Sequence, residues 1–214
     1  MPTTITEETY EKAILELFAD RLGYERRYGP EVERDYERPY YEPSVRAALE
    51  RLNPGLPQAA LDDAFFRIAH IDDGTLLQRN QRFTDYLQNG VPVSFNDGGE
   101  TRSDLVRLVD YDNSDKNDFV VVNQWTCVEK KVEKRPDVVV LLNGFPVAIF
   151  ELKSPSRENT DASEAFLQLR NYMSDISELF VNNQICVMSD MAVSKAGTIS
   201  SGEDRYMAWK SVDG

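Results

Sequence analysis

The sequence predicts an α/β fold in which a mixed central sheet is flanked by helices. Apolar residues recur at helical spacing through much of the chain before Val91, whereas strand-like runs rich in β-branched residues follow it. A further helix then separates a hairpin from a last apolar strand. This order of helix, strands, hairpin, helix and strand is typical of a sheet with helices on its faces.

The first half is expected to be mostly helical. A capping box at Thr4–Glu7 predicts a helix over 6–22 that stops at Gly23. Residues 43–89 are interpreted as a helical insertion, or a small helical layer, made of three helices at 44–52, 57–71 and 76–88.

The second half is expected to supply the sheet. Runs of β-branched and aromatic residues predict strands at 105–110, 119–128, 136–142, 147–153 and 184–189. Asn143 and Gly144 are a turn signal that folds the third and fourth of these strands into a hairpin. A helix is expected over 161–180, with Asp161 and Glu164 as its capping pair.

Length and composition indicate one globular domain over residues 1–214. The chain has no apolar run of the ~18 residues that would suggest a membrane span, and its start lacks a signal-peptide pattern. Cys127 and Cys186 lie in apolar runs and are expected to be buried thiols, which is typical of a reducing compartment. We therefore expect a cytoplasmic protein.

The net charge of −13 predicts weak DNA binding by the surface as a whole. The charge is uneven, however, because acidic and basic residues balance over 126–172. One face can therefore still accept phosphate. The candidate phosphate contacts are basic residues just before the third predicted strand, for which a solvated strand edge is the alternative role: Lys130, Lys131, Lys134 and Arg135.

The sharpest chemical feature is Asp137, followed beyond the turn by Glu151 and Lys153. Side chains alternate along a strand, so Glu151 and Lys153 point to the same side. Carboxylate oxygens suit Mg²⁺, which takes the rest of its shell from water and phosphate. The metal would activate a water for phosphodiester hydrolysis, and the lysine would orient that water or offset developing charge. A solvated surface pair is the alternative interpretation.

The hairpin register decides whether Asp137 joins this group. A strict two-residue loop pairs Leu142 with Phe145, and without irregularity it places Asp137 and Glu151 on opposite faces. A longer loop or a bulge places them on one face. We predict the longer loop, because Pro146 disfavours tight pairing there.

Several stretches together resemble the PD-(D/E)xK nuclease core of type I restriction motor subunits. They are RPDVVVLLNGFPVAIFELKSP, QLRNY, NQRFTDYLQNGVPVSF and LVDYDNSDKNDFVVVNQWT, with Ser189-Asp190, Gly197-Thr198 and Trp209-Lys210 downstream. The resemblance covers nearly the whole chain. It implies a restriction-endonuclease-like mixed sheet flanked by helices.

The resemblance also assigns expected roles. Asp137 and Glu151 would bind Mg²⁺, Lys153 would act on the attacking water, and Gln168 and Tyr172 on the next helix would support cleavage. Members of this superfamily often carry a glutamate on the opening helix that faces the metal. Glu11 is our candidate because it shares a side with apolar residues of that helix, with Glu8 as the other option and a surface role as the alternative.

At the level of the whole enzyme, the resemblance implies cleavage of unmodified double-stranded DNA beside methyltransferase and specificity subunits. ATP would serve only a translocase, and the chain contains no Gly-x-x-x-x-Gly-Lys-Ser/Thr motif for one. The chain is therefore interpreted as part of a longer subunit. Two alternatives are another PD-(D/E)xK repair or restriction nuclease, and a docking module that is latent in isolation.

Other chemistries find little support. His70 has no cysteine or histidine neighbours that predict a zinc site, and no Gly-x-Ser-x-Gly motif suggests a serine hydrolase. Trp125 could stack on a base, but core packing is the favoured role.

Overall fold

The computed structural model describes residues 6–153 and 162–208. The helices are α1 (Glu7–Leu22), α2 (Glu42–Leu52), α3 (Gln58–Ala69), α4 (Leu76–Asn89), α5 (Ala162–Asp175) and α6 (Ser177–Val181). The strands are β1 (Glu25–Tyr28), β2 (Val91–Asp97), β3 (Glu100–Val106), β4 (Phe119–Asn123), β5 (Cys127–Glu129), β6 (Val132–Lys134), β7 (Val138–Leu142), β8 (Phe145–Leu152), β9 (Ile185–Ser189), β10 (Ser194–Gly197) and β11 (Met207–Ala208).

Seven strands form the central sheet in the order β1-β4-β7-β8-β9-β10-β11. The sheet is mixed, since β1 runs parallel to β4 and β8 parallel to β9 while the other neighbours are antiparallel. The pairs β2–β3 and β5–β6 form separate hairpins. The predicted α/β class with a mixed sheet flanked by helices is thereby confirmed.

Helix α1 covers one face of the sheet, and α5 and α6 cover the other. The α1 cluster includes Leu15, Val138 and Leu152, whereas the α5–α6 cluster includes Val139 and Leu169. Neighbouring residues of β7 thus enter opposite clusters, as the strand period of two requires. This alternation fixes which side chains of the central hairpin face α5.

The three helices predicted within residues 43–89 are present as α2, α3 and α4, and they form a separate layer. Helices α2–α4 pack with the β2–β3 hairpin around Phe83, Phe145 and Leu49 in a second core. Helix α4 begins at a capping box formed by Thr75 and Gln78. Because Phe145 begins β8, this layer reaches the turn of the central hairpin.

Three element predictions were wrong. Strand β1 was missed, because Glu25–Tyr28 is a charged edge strand without an apolar period. The expected strand over 119–128 divides where Gln124 adopts φ 57°. The expected helix over 161–180 breaks at Ile176, because the Glu129 carboxylate accepts hydrogen bonds from Ser177 Oγ and the Glu178 amide and so starts a new helix.

Other boundaries shift for local reasons. Helix α1 is capped by the Thr6 hydroxyl, which accepts from the Thr9 amide, and ends at Gly23 with φ 72°. The strand predicted over 105–110 begins earlier and ends at Val106. Strands β10 and β11, which follow the last predicted strand, were not predicted. Thr4, Asp161 and Trp209-Lys210 lie outside the described residues.

The central hairpin combines a tight turn with a bulge, so our prediction of a longer loop was wrong. Leu142 pairs with Phe145 across Asn143 and Gly144, but the register shifts so that Leu141 pairs with Pro146 while Val140 pairs with Ala148. Val147 is the extra residue of this bulge. The pairing beyond it runs from Val140–Ala148 to Val138–Phe150, which puts Asp137 opposite Glu151.

The turn of the hairpin is buried. Asn143 adopts φ 51° and is fully buried. Its side-chain Oδ1 accepts a hydrogen bond from the Asp118 backbone amide at 2.8 Å, and its Nδ2 donates to Leu108 O at 2.9 Å. The Tyr41 amide donates to Gly144 O at 2.9 Å. The turn is therefore anchored on the loop before β4 and on the start of α2.

Gly144→Ala is expected to destabilise the protein more than Gly98→Ala. Both glycines have positive φ, but a Cβ on Gly144 would lie 2.7 Å from Tyr41 O, whereas a Cβ on Gly98 meets no atom within 4 Å. We expect a loss of about 1 kcal/mol for Gly98→Ala from backbone strain and about 3 kcal/mol or more for Gly144→Ala. Urea unfolding of the two variants measures the difference, and equal losses would contradict the buried turn.

Both cysteines are buried and unpaired, as expected. Burial raises the pKa of the Cys127 thiol to about 11 and that of Cys186 to about 12. Such thiols are inert towards nucleophilic chemistry near neutral pH. Within the described ranges, no helix is long and apolar enough to cross a membrane.

Candidate active site

The carboxylates of Asp137 and Glu151 meet at one end of the central sheet. Asp137 precedes β7, and Glu151 lies near the end of β8 on the adjacent strand. The Leu152 amide donates a hydrogen bond to Asp137 Oδ2 at 2.7 Å. The Lys153 amide donates to Ser189 O at 2.8 Å, which extends the β8–β9 pairing past Glu151. The backbone of three adjacent strands therefore holds both carboxylates.

The bulge at Val147 turns this pair towards α5. Val139 and Ile149 belong to the α5–α6 cluster, and Asp137 and Glu151 are each two residues away on the same strands. Had the strict pairing continued, Glu151 would have turned to the α1 face. Asp137 and Glu151 face the same side because the hairpin contains one irregular residue.

Glu151 is deeply buried and only partly satisfied. Its side chain is 3% exposed, and Lys153 Nζ lies 2.6 Å from Oε1. Oε2 is buried and has no hydrogen-bond partner among the described residues. A buried carboxylate oxygen without a partner costs free energy, so an external positive group at this atom would stabilise the site.

Burial raises the pKa of both carboxylates, and for Asp137 the charge of Glu151 adds to the effect. Desolvation, followed by the charge of Glu151, raises the pKa of Asp137 to about 8 despite the hydrogen bond from the Leu152 amide. Desolvation also raises the pKa of Glu151, with Lys153 acting in the opposite direction. A carboxylate pair of this kind stores unfavourable charge that a cation can relieve.

Lys153 and Tyr172 complete the group on the α5 side. Burial acts to lower the pKa of Lys153, but Glu151 and Asp137 outweigh it, so its pKa is raised and the ammonium form is favoured. Tyr172, on α5, interacts with Glu151 and with Gln168. Its pKa is raised mainly by burial and next by the charge of Glu151, so the phenol remains a hydrogen-bond donor. The structure thus brings all five of these predicted residues together.

Two glutamates of the opening helix, Glu7 and Glu11, have different surroundings near the carboxylates. The charge of Glu7 contributes to raising the pKa of both Asp137 and Glu151. Glu11 instead accepts hydrogen bonds from Asn123 Nδ2 at 2.6 Å and from Gln124 Nε2 at 2.9 Å. The choice of Glu11 as the glutamate that faces the metal therefore stays a prediction, and Glu7 is a further candidate that the sequence did not favour.

Glu11 and Glu8 nevertheless line the same cleft as Asp137. This cleft has a volume of about 440 Å³ and is also bordered by Glu7. Since both oxygens of Glu11 accept amide protons, its position stabilises the cleft wall at Asn123 and Gln124. A ligand that enters the cleft reaches Asp137 from the α1 side.

The donor set fits Mg²⁺. Asp137 and Glu151 supply hard oxygens, and Glu151 Oε2 is buried without a described partner. Among the described residues, no cluster of three or more His, Cys, Asp and Glu side chains is arranged to hold a metal. Mg²⁺ needs only one or two protein carboxylates when water and phosphate complete its shell, whereas Zn²⁺ generally takes three or four protein ligands.

Comparison with known proteins identifies the family. The family model described as type I restriction enzyme R protein N terminus matches residues 4–205 of this chain. The chain belongs to this family. It is 38% identical over 201 residues to the type I restriction enzyme HindI endonuclease subunit of Haemophilus influenzae, and 36% identical over 202 residues to the putative type I restriction enzyme MjaIXP endonuclease subunit of Methanocaldococcus jannaschii. Each match covers 90% of this chain but 19% of the relative, so the chain spans about a fifth of their length.

The other candidates in this R-protein N terminus are placed as follows. Trp125 is fully buried, and its indole donates to Pro39 O at 2.9 Å, so the favoured core role is confirmed. His70 is exposed and stacks on Phe66 with ring centroids 4.1 Å apart. This arrangement provides no metal ligand set.

The basic residues before the site divide into two groups. Lys130 and Lys131 occupy the tip of the β5–β6 hairpin at φ 49° and 70°, and both are exposed. Arg135 is also exposed. Lys134 pairs with Asp175 of α5 at 3.1 Å. Lys130, Lys131 and Arg135 therefore remain candidates for phosphate contact, while Lys134 holds the hairpin on α5.

In the absence of divalent metal, the titration of Asp137 is expected to lower the free energy of unfolding of this chain as pH rises from about 4 to about 8. The pKa of Asp137 is raised from 3.8 to about 8 on folding. Between these values the folded state keeps a proton that the unfolded chain releases, so the free energy of unfolding falls as pH increases.

Urea unfolding of the wild type and of Asp137→Asn, both in EDTA, measures this contribution. The asparagine oxygen can still accept from the Leu152 amide but does not titrate. We expect the wild type to become less stable relative to the variant as pH rises. Parallel curves across this range would contradict the raised pKa.

Proposed function

We propose that this chain is a Mg²⁺-dependent DNA endonuclease domain with a PD-(D/E)xK core. The observation that carries the proposal is the pairing of two desolvated carboxylates with Lys153 across a bulged hairpin. Burying ionisable groups costs free energy, and strongly shifted pKa values of such groups are common at catalytic sites. The family match supports a restriction-system role for the chain.

In the proposed reaction, Asp137 and Glu151 would hold the metal through their carboxylate oxygens. Mg²⁺ held there would supply a positive charge that polarises a phosphoryl oxygen and lowers the pKa of water. Lys153 keeps its proton beside Glu151, so its ammonium group can orient the attacking water and offset negative charge at phosphorus. Glu7 adds negative potential from the α1 side.

Tyr172 and Gln168 are proposed to position this group rather than to exchange protons. The raised pKa of Tyr172 favours the neutral phenol, which can act as a hydrogen-bond donor towards Glu151. Gln168 lies one helical turn earlier on α5 and interacts with the same phenol. Together they fix the orientation of Glu151 from the helix side.

For the complete enzyme, we propose cleavage of unmodified double-stranded DNA by a type I restriction complex. The domain would occupy residues 1–214 of a longer subunit, with ATP used by a translocase and with methyltransferase and specificity subunits as partners. The relatives bear the name of type I restriction endonuclease subunits, which supports this assignment.

The direct test is to incubate the purified chain with supercoiled plasmid and Mg²⁺ or Mn²⁺, with EDTA as control, and to measure metal binding by calorimetry. Metal-dependent nicking is the expected result. Metal binding without nicking would indicate a nuclease that requires its partner subunits. The absence of both nicking and metal binding would overturn the proposal and favour a docking role.

A further inference from the structure

The cleft beside Asp137 has a second wall, formed by the edge strand β1. Arg26 and Tyr28 of β1 line this cleft together with the glutamates of α1 and with Asn123 and Gln124. Asp137 lies in the same cleft, so anything bound against β1 is next to the carboxylate pair. The resemblance to known nucleases singled out none of these β1 residues.

Alternation along β1 selects Arg26 and Tyr28 for the cleft. They are two residues apart and therefore share a face of the strand. Arg27 points elsewhere: its Nε lies 2.7 Å from Glu25 Oε1, and its guanidinium lies 5.3 Å from the centre of the Tyr41 ring. Adjacent arginines thus have different surroundings, which provides a matched pair for experiment.

The β1 wall is held in place relative to Asp137. Tyr28 pairs with Asn123 in the parallel β1–β4 ladder. A Cβ at Gly29 would lie 2.4 Å from Gln124 O, so only glycine permits this close approach. The Gln124 amide in turn donates to Asp137 O at 3.1 Å. A short chain of backbone contacts therefore links Tyr28 to Asp137.

Arg26 has no ion pair with another described residue, although three glutamates line the cleft. Glu11 is occupied by the Asn123 and Gln124 amides. Arg26 is exposed, so its guanidinium can offer a two-pronged donor to a phosphate. Tyr28 is 45% exposed and presents an aromatic ring beside it.

We infer that Arg26 and Tyr28 bind the backbone of the DNA strand on one side of the bond to be cut, an inference that rests on the proposed function. Arg26 contacts a neighbouring phosphate, and the Tyr28 ring packs against the adjoining nucleotide. A cation held by Asp137 and Glu151 would face the scissile phosphate, while β1 faces the next one. The two walls thereby place one strand across Asp137.

The test compares Arg26→Ala with Arg27→Ala in DNA binding. A labelled duplex of about 20 base pairs is titrated with the chain in Ca²⁺ at several low salt concentrations, and affinity is read from fluorescence anisotropy. For Arg26→Ala we expect affinity about 10-fold lower and a salt slope reduced by about 0.9, the loss of one phosphate contact. Tyr28→Ala should weaken binding by about 5-fold without changing the slope.

The control variant distinguishes a contact from a general effect. Arg27→Ala removes the same charge from the same strand and should leave affinity and slope close to those of the wild type. Equal losses in the two arginine variants, an unchanged slope in Arg26→Ala, or no DNA binding by the wild type at low salt would each overturn the inference. If Arg26→Ala binds and nicks like the wild type while Asp137→Ala is inactive, the inference fails and the proposed nuclease stands.

Discussion

Replacing Asp137 by alanine is expected to remove metal binding and to reduce DNA nicking on the order of a thousandfold or more. Asp137 contributes one of the two carboxylates held between β7 and β8. Metal polarisation of a phosphoryl group lowers the activation barrier by several kcal/mol, and about 1.4 kcal/mol corresponds to each tenfold change in rate. Plasmid nicking and calorimetry on the same samples measure both losses.

The same substitution should stabilise the protein when no metal is present. Because burial and the charge of Glu151 raise the pKa of Asp137 to about 8, folding at neutral pH requires this carboxyl group to take up a proton, and its removal abolishes that cost. The melting temperature in EDTA is expected to rise, whereas the stabilisation that Mg²⁺ gives the wild type should disappear. Asp20→Ala, at an exposed position of α1, is the control and should change neither quantity. A variant that still binds the metal with wild-type affinity would contradict the assignment.

Replacing Lys153 by methionine is expected to separate metal binding from catalysis. Methionine keeps the apolar stem and much of the volume of lysine but loses the ammonium group that lies 2.6 Å from Glu151 Oε1. Removal of a charged group that stabilises a transition state commonly costs on the order of 10²- to 10³-fold in rate. We expect a loss of this size in nicking.

Metal affinity should be retained or increased in Lys153→Met, because Glu151 loses a competing positive neighbour. Calorimetry gives this affinity independently of turnover. Lys116→Met removes an exposed lysine that pairs with Asp110, far along the chain from the site, and should leave both quantities unchanged. Loss of metal binding together with nicking would assign Lys153 to site assembly rather than to the reaction.

The sequence allowed prediction of the hairpin and of the helix face that meets it, because each depends on short-range periodicity. Glu151 and Lys153, at the end of β8 and just after it, share a side by the alternation of extended chain. Gln168 and Tyr172 share a side by their spacing on α5. The turn at Asn143-Gly144 was equally local. These features required no knowledge of which elements pack together.

The remaining features depend on tertiary contacts. Glu129 divides the helix after the hairpin, and β1 becomes a strand only because β4 offers it an open edge. Glu7 reaches the site because of how α1 crosses the sheet. Spacing within a helix shows which residues share a side, but it cannot show which turn ends beside Asp137.

The bulge at Val147 makes the site depend on whether the hairpin contains an odd or an even number of residues. An insertion or deletion of one residue between Val138 and Phe150 would exchange the faces of everything beyond it, whereas a change of two residues would restore them. Length variation in related proteins should therefore occur in steps of two within this segment, wherever the carboxylate pair is retained. Selection would act here on the count of residues as strongly as on their chemistry.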